Sequence, residues 1–223
     1  MLALMAGRNA GAGFTLVKEG KVSPILPTTP FLPHSVTPDA VLTQWTNFNF
    51  APFSFSGPQL STTPLSPTRT AGFLGFGRIA QATLKRLISF GLTHCIYTSN
   101  PSSPRNTALE ASLTAEHNLR SVRRVDLDQL ARESDVLFVL APGGEDTRHV
   151  VNADFLRKMK KHAVLVNAAR GTLVDSDALA QALREEWIWG AGLDVVEGEP
   201  HIGADHPLVR EPRYVYCMRH SFS

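Results

Sequence analysis

After Arg69, the chain alternates short apolar runs with segments whose apolar residues recur at helical spacing. The runs predict strands, and "DVLFVLAP" lacks polar alternation, which is typical of a strand buried on both faces of a sheet. Strands are predicted within "TAGFLGFG", "HCIYTS", "DVLFVLAP", "AVLVN", "GAGLDVV" and "YVYC". Helices are predicted after "GFG" and within "VDLDQLARES", "ADFLRKMK" and "SDALAQALREEW".

Connections of helical length require successive strands to be parallel. The alternation therefore predicts an α/β fold, a doubly wound parallel sheet of the Rossmann type with helices on both faces. In "VDLDQLARES" we expect Leu127 and Leu130 to point inward. The inward face of the first helix is predicted to carry Ile79, Ala82, Thr83, Leu87 and Phe90.

The first 67 residues follow a different pattern. The apolar residues of 1–21 recur at roughly helical spacing and predict a helix. Prolines then recur at every third position from Pro24 to Pro33, and no apolar periodicity persists to about Ser66. The segment 22–67 is therefore predicted to be a proline-rich linker or insertion of extended character, with a proline-rich ligand for a partner protein as the alternative.

Composition and charge exclude several classes of function. The 22 basic and 20 acidic residues are mixed along the chain, without the clustered basic surface that nucleic acid or an anionic membrane requires. No apolar run approaches the ~18 residues of a membrane span, and the N-terminus is not typical of a secretory signal. Cys95 and Cys217 are the only cysteines and form no disulfide framework, so we expect a cytoplasmic protein, and we assign no metal site.

The segment "GFGRIA", Gly75 to Ala80, is a G-x-G-x-x-A loop between the first predicted strand and the first predicted helix. Gly75 permits a tight turn, Gly77 lets the backbone approach a pyrophosphate, and the small Ala80 lets helix and strand pack closely. This position predicts dinucleotide binding, with a plain strand-to-helix turn as the alternative. We also assign Arg78 and Ile79 to the cofactor site.

The end of the next strand indicates which cofactor is bound. Folds that bind NAD place an acidic residue about twenty positions after the glycine loop, where it accepts hydrogen bonds from the ribose 2′-hydroxyl. Here the strand ends in "YTSNPSSPR", which contains no Asp or Glu. Ser99, Asn100 and Arg105 offer donors that suit a 2′-phosphate, so the predicted cofactor is NADP or NAD, with NADPH preferred. The alternative is that Pro101 to Arg105 form a solvated turn and the specificity is loose.

Four segments together resemble one protein family. "GFGRIAQATLKRL", "APGGEDTRHVV", "VLVNAARGTLVDSDALAQAL" and "AGLDVVEGEP" closely resemble the D-isomer-specific 2-hydroxyacid dehydrogenases, nearest the glyoxylate and hydroxypyruvate reductase branch. The resemblance covers about residues 69–212, and 1–21 resembles the helix that leads into this domain. It implies an NAD(P)-binding domain at 68–217 that transfers hydride between NAD(P)H and a small 2-oxo acid such as glyoxylate or hydroxypyruvate. The implied partners are this small-molecule substrate and a second copy of the chain in a homodimer.

The resemblance also assigns roles to five residues. Arg170 in "NAARG" matches the side chain that grips the 2-oxo acid and stabilises charge on its oxygen, with a surface arginine in a turn as the plain alternative. Glu199 in "GEP" matches the carboxylate that orients the catalytic histidine. Asp194 matches the residue that holds the nicotinamide carboxamide. Pro142 and Ala168 lie on loops that resemble those lining the nicotinamide pocket.

The chain departs from the family pattern near its end. The family has Pro-His-x-Gly after the corresponding strand, whereas "YVYC" is followed here by Met218, Arg219 and His220. The segment 218–223 is therefore predicted to be an aberrant tail, and most of the second, substrate-binding lobe is predicted to be missing. We expect a truncated or mis-spliced product with negligible turnover of 2-oxo acids. The alternatives to a reductase are a non-catalytic NAD(P)-binding scaffold and an inert fragment.

Overall fold

The structure is a computed structural model and describes residues 69–90, 92–211 and 214–216. The predicted N-terminal helix, proline-rich linker and C-terminal tail lie outside the described residues. Seven strands within the described part of the chain form one sheet. They are β1 Thr70–Leu74, β2 His94–Thr98, β3 Ser121–Arg124, β4 Val136–Val139, β5 Val164–Asn167, β6 Gly190–Leu193 and β7 Tyr214–Tyr216.

Neighbouring strands are parallel, and their order across the sheet is β3-β2-β1-β4-β5-β6-β7. The chain moves outward from β1 to β3, returns to the other side of β1, and then moves outward again from β4 to β7. This reversal creates a topological switch point between β1 and β4. The predicted doubly wound parallel sheet is confirmed.

Five α-helices of the described residues connect these strands. They are α1 Arg78–Leu87, α2 Thr107–Glu116, α3 Leu127–Glu133, α4 Ala153–Lys158 and α5 Ser176–Arg184. The side chains of Asn106, Asp126, Asn152 and Asp175 cap the last four, each accepting a hydrogen bond from a first-turn N–H. Such a cap stabilises a helix by about 1 kcal/mol. Gly77 precedes α1 and provides no side-chain cap.

Apolar side chains pack on both faces of the sheet. On one face, Leu84 of α1 and Leu113 of α2 lie in a cluster with Phe73 of β1. On the other face, Leu156 of α4 and Leu179 of α5 lie in a second cluster. All four residues of β4 and of β5 are buried, as the lack of alternation predicted. The largest fully buried side chains are Phe73, Leu84, Ile96, Leu130, Leu137, Leu156, Leu165, Leu173, Leu179, Leu183 and Ile188.

Two side chains that were expected to be buried are exposed. Ile79 is 70% exposed and Leu127 is 41% exposed, so these two predictions are wrong. Leu127 is the first residue of α3 and precedes the buried residues of that helix, Leu130 and Ala131. Ile79 points away from the face of α1 that packs on the sheet. The face of α1 that packs on the sheet is formed by Ala80, Leu84 and Leu87.

The sequence pattern did not predict α2 or β3. β3 is an edge strand, and among its four residues Val122 is the one buried apolar side chain. An edge strand packs against fewer neighbours and tolerates charged residues, so its apolar pattern is weak. α2 buries Leu113 together with a charged residue, Glu110, which lowers its amphipathic signal.

A buried carboxylate joins the starts of three strands. Asp135 Oδ2 accepts a hydrogen bond from Thr70 N at 2.7 Å, and Oδ1 lies 3.0 Å from Lys160 Nζ and 2.7 Å from His162 Nε2. Burial alone would raise the pKa of Asp135, but the hydrogen bonds from His162 and Thr70 and the charge of Lys160 outweigh burial and lower that pKa. The carboxylate therefore ties β1 and β4 to the connection that precedes β5.

Candidate cofactor and substrate site

Predicted site residues from five parts of the chain lie along the carboxyl edge of the sheet. The last residues of β1, β2, β4, β5 and β6 are in register across this edge. Gly75, Ser99, Ala168 and Asp194 each directly follow one of these strands, and Pro142 follows β4 within a short loop. Doubly wound folds bind their ligands at this edge, beside the switch point.

Gly75 and Gly77 shape the turn between β1 and α1. Gly75 has a φ of 90°, in the left-handed region, and a Cβ at this position would lie 2.7 Å from both Cα and N of Ala141. Its backbone N donates a hydrogen bond to Thr98 O at 3.1 Å. A Cβ at Gly77 would meet no atom of the described residues within 4 Å. Open space therefore adjoins the start of α1.

The start of α1 fits the phosphates of a dinucleotide. Within the described part of the chain, no side chain caps it and its first turn contains no acidic residue. Uncapped N–H groups and the positive end of the helix dipole both favour an anion. Arg78 and Ile79 are exposed at the same place, where they can contact a bound cofactor.

Glu110 occupies the region beside the end of β2. Its carboxylate accepts hydrogen bonds from Tyr97 Oη at 3.0 Å, from Arg124 N at 2.9 Å, and from Arg105 Nε and Nη2 at 3.0 and 2.8 Å. Burial alone would raise the pKa of Glu110, but these hydrogen bonds outweigh burial and lower that pKa. The pKa of Tyr97 is raised to about 12 by burial and by its hydrogen bond to Glu110. Glu110 thus binds the guanidinium of Arg105 through Nε and Nη2, and the role of Arg105 at the cofactor stays a prediction.

The loop after β2 is held by Arg124, a residue that no sequence motif indicated. Arg124, the last residue of β3, donates from Nη1 to Ser103 O at 2.6 Å and from Nη2 to Asn100 O at 2.8 Å. The side chain of Asn100 closes the same turn, since its Oδ1 accepts a hydrogen bond from Ser102 N at 2.9 Å. Ser99 is half-buried at the start of this loop. Arg124 lies 25 residues beyond Ser99, so local spacing gave no signal for it.

Arg170 and Glu199 line one cleft at the carboxyl edge. Arg170 is exposed, and its Nη1 donates a hydrogen bond to Ala169 O at 2.7 Å. Glu199 is also exposed, and its Oε1 accepts a hydrogen bond from Val196 N at 3.1 Å. The cleft has a volume of about 250 Å³ and is lined by Ala169, Arg170, Gly171, Thr172, Val195, Val196, Glu197, Gly198 and Glu199.

Close backbone packing brings the two sides of this cleft together. Gly171 begins a short 3₁₀ turn, Gly171–Leu173, directly after Arg170. A Cβ at Gly171 would lie 2.2 Å from the carbonyl carbon of Val196 and 2.3 Å from the backbone N of Glu197. A residue without a side chain is required for this approach, which sets the separation of Arg170 from the loop after β6.

Ion pairs anchor the loop after β6 from the other side. Glu197 accepts a hydrogen bond from Arg148 Nη2 at 2.7 Å, and its Oε2 lies 2.6 Å from His149 Nε2. His149 Nδ1 also lies 4.0 Å from Asp175 Oδ2, at the start of α5. The two contacts of Glu197 join segments that are about fifty residues apart, and no sequence motif pointed to them.

The described residues contain no group of three or more His, Cys, Asp or Glu side chains that could hold a metal ion. None of the helices in that part of the chain is long and apolar enough to cross a membrane. Cys95 is a free cysteine in β2, and burial raises the pKa of its thiol, which makes it unreactive. His220 and Cys217 lie outside the described residues.

The chain matches one protein family over most of its length. Residues 54–220 match the model of the family described as D-isomer specific 2-hydroxyacid dehydrogenase, NAD binding domain. Members of this family act on small 2-oxo or 2-hydroxy acids, and the matched part is their NAD-binding domain.

Individual relatives agree with the family match. A glyoxylate reductase from Thermofilum pendens is 39% identical over 159 residues, which are 71% of this chain and 42% of that protein. One from Thermococcus onnurineus is 44% identical over 133 residues, 60% of this chain and 36% of that protein. The crystal structure of a glyoxylate reductase from Paecilomyes thermophila is similar with a TM-score of 0.65 at 26% identity, covering 96% of this chain and 51% of that chain. The chain thus spans about two fifths of the length of these curated relatives.

Proposed function

Because the chain belongs to the D-isomer specific 2-hydroxyacid dehydrogenase family, we propose that it binds NAD(P)H and presents a small 2-oxo acid to it for reduction. Glyoxylate and hydroxypyruvate are the proposed substrates. The observation that carries this proposal is the cleft shared by Arg170 and Glu199, at the same edge of the sheet as the glycine loop. We assign residues 68–217 to the NAD(P)-binding domain.

Arg170 is the proposed substrate-binding residue. Its guanidinium has five N–H donors in a planar fork that suits a carboxylate and an adjacent carbonyl oxygen. The bound nicotinamide supplies the hydride. As the carbonyl is reduced, negative charge develops on its oxygen, and a guanidinium held next to that oxygen stabilises the charge. The exposure of Arg170 at the mouth of the cleft supports this role.

Glu199 is proposed to orient the imidazole of a catalytic histidine. A carboxylate next to an imidazole fixes its tautomer and stabilises its protonated form, which can then donate a proton to the substrate oxygen. The hydrogen bond from Val196 N holds one oxygen of Glu199 in the cleft. None of the described residues that line the cleft is a histidine. Asp194, Pro142 and Ala168 are proposed to contact the nicotinamide.

Binding of a substrate analogue tests Arg170 separately from proton transfer. We would titrate the 223-residue chain with NADPH, and then titrate the loaded chain with oxamate, an analogue of a 2-oxo acid. Arg170→Ala should weaken oxamate binding by roughly tenfold or more and leave NADPH binding unchanged. Arg184→Ala, which removes the same charge from the exposed last residue of α5, should change neither.

Three results of this experiment would decide against the proposal. A chain that binds neither NADPH nor NADH is not a dinucleotide-binding domain. Oxamate binding that survives Arg170→Ala assigns the substrate to another residue. A chain that binds NADPH but neither binds oxamate nor oxidises NADPH with glyoxylate or hydroxypyruvate favours the alternative of a non-catalytic scaffold.

We also infer a preference for NADPH over NADH. Ser99 and Asn100 follow β2, where the ribose of the cofactor would lie, and the nearby carboxylate of Glu110 is already bound by Arg105 and Tyr97. Ser99→Asp should therefore reverse the preference by placing a carboxylate next to the ribose. Ser89→Asp, the same change in an exposed turn at the end of α1, should have no effect. Tighter NADPH binding by Ser99→Asp would count against the assignment.

A homodimer that forms through the nucleotide-binding domain is proposed from the family resemblance. Sedimentation equilibrium of the chain at increasing concentrations tests it. A mass that stays at 24.3 kDa over this range would contradict the proposal.

A further inference from the structure

Arg124 differs from the other arginines near the end of β2 in what it contacts. Arg105 is bound to Glu110, and Arg123 forms an ion pair with Glu133. The guanidinium of Arg124 instead donates to two neutral carbonyl oxygens, those of Asn100 and Ser103. No carboxylate of the described residues forms an ion pair with it. Among the residues that the structure describes, no ion pair therefore neutralises this positive charge at the carboxyl edge of the sheet.

The position of this charge is fixed by the strands. Tyr97 of β2 pairs in register with Arg124 of β3, so Arg124 lies beside the end of β2, one strand further from the switch point. The backbone N of Arg124 donates to Glu110 Oε1 at 2.9 Å, which anchors the end of β3. In this class of fold the ribose of the adenosine half lies just beyond the end of β2. The side chain of Arg124 reaches into the loop at that point.

We propose that Arg124 is the residue that selects the 2′-phosphate of NADPH. This inference rests on the proposed function and makes it more specific. A guanidinium has five N–H donors, and the contacts within the described residues use two of them, so the others can bind phosphate oxygens. The two bonds to the loop also hold the side chain in one orientation, which lowers the entropy lost on binding. Ser99 supplies a hydroxyl, while the guanidinium supplies the charge that distinguishes NADPH from NADH.

Two small ligands isolate this contact from the rest of the cofactor. Adenosine 2′,5′-bisphosphate and 5′-AMP differ by the 2′-phosphate, and both can be titrated calorimetrically into the 223-residue chain. The unmodified chain should bind the bisphosphate more tightly. Arg124→Met should lower the affinity for the bisphosphate by roughly tenfold or more and leave that for 5′-AMP unchanged. Arg124→Lys should retain part of the preference, because it keeps the charge but loses the planar fork.

Arg120→Met is the matched control. It removes an exposed arginine just before the other end of the same strand and should leave both affinities unchanged. Equal weakening of both ligands by Arg124→Met would show that Arg124 only braces the loop, and this result would overturn the proposal. The proposal would also be overturned if Arg124→Met and Arg124→Lys both kept the preference for the bisphosphate over 5′-AMP. An unmodified chain that binds 5′-AMP and the bisphosphate equally contradicts this inference alone, whereas one that binds neither them nor NADPH contradicts the proposed function.

Discussion

Substitutions at Gly75 and Gly77 test the folding of the glycine loop and its cofactor binding separately. Gly75→Ala should destabilise the domain, because its Cβ would lie 2.7 Å from backbone atoms of Ala141 and a φ of 90° is strained for alanine. A loss of about 1–3 kcal/mol in the free energy of unfolding is expected. Urea denaturation followed by circular dichroism measures this loss.

Gly77→Ala is the matched control for that variant. Gly77 has a φ of −80°, which alanine adopts without strain, and its Cβ would meet no described atom within 4 Å. The free energy of unfolding should therefore stay nearly unchanged, while NADPH binding weakens because the Cβ occupies the space beside the start of α1. Similar stability losses in the two variants would contradict this division, and full NADPH affinity in Gly77→Ala would contradict the phosphate site.

Local spacing predicted some residues of the site well and others poorly. The glycine loop is contained in six consecutive residues, so its sequence alone predicts the turn that the structure shows. Arg105 was predicted to offer donors to the cofactor, and the structure shows its guanidinium bound to Glu110, five residues further along the chain in the first turn of α2. The orientation of Arg124 depends on the packing of β3 beside β2. Such tertiary contacts have no local signature, and the roles of Arg170 and Glu199 stay predictions.

The 3₁₀ turn after β5 and the loop after β6 form the cleft only because Gly171 lets them touch. Gly171→Ala should push the loop away from Arg170, since its Cβ would overlap the backbone of Val196 and Glu197. Backbone cannot yield as a flexible side chain can, so we expect oxamate binding to fall by roughly tenfold or more. We also expect a loss of stability of about 1–3 kcal/mol.

Gly144→Ala serves as the comparison for that variant. Gly144 has an extended backbone, with a φ of 179°, and its Cβ would meet Thr147 Oγ1 at an ordinary 3.9 Å. Gly144 follows Pro142 at the same edge of the sheet. If any change at that edge weakened oxamate binding, Gly144→Ala and Gly171→Ala would both weaken it. Unchanged oxamate binding in Gly171→Ala would show that the cleft does not depend on this contact.

The elements that sequence predicts best are those with the most uniform surroundings. β4 and β5 lie in the centre of the sheet with both faces covered, so each of their positions is apolar. β3 lies at the edge, and α2 buries the carboxylate of its own Glu110 beside Leu113, so neither has a simple apolar period. Ile79 and Leu127 were wrongly predicted to be buried because apolar spacing does not fix which way a residue at the start of a helix points, and the buried faces begin at Ala80 in α1 and at Leu130 in α3.

The stability of the whole sheet in acid depends on Asp135. Its pKa in the folded protein is below the ordinary value, which is about 3.9 in an unfolded chain. The unfolded chain therefore binds a proton at Asp135 more readily than the folded protein. The stabilisation is fully present above the unfolded pKa, and it is lost as the pH falls through the lower folded pKa.

Asp135→Asn tests this linkage. The amide cannot keep the charged contacts with Lys160 and His162, so at pH 7 the variant should be less stable by an amount on the order of 2 kcal/mol. Between about pH 5 and pH 2, the stability of the unmodified protein should fall towards that of the variant, because protonation of Asp135 removes the same charge. Urea midpoints measured across this range give both curves. Asp146→Asn, which changes an exposed carboxylate, should follow the unmodified protein throughout. A difference between Asp135→Asn and the unmodified protein that stays constant down to pH 2 would show that size and packing, rather than charge, make Asp135 stabilising.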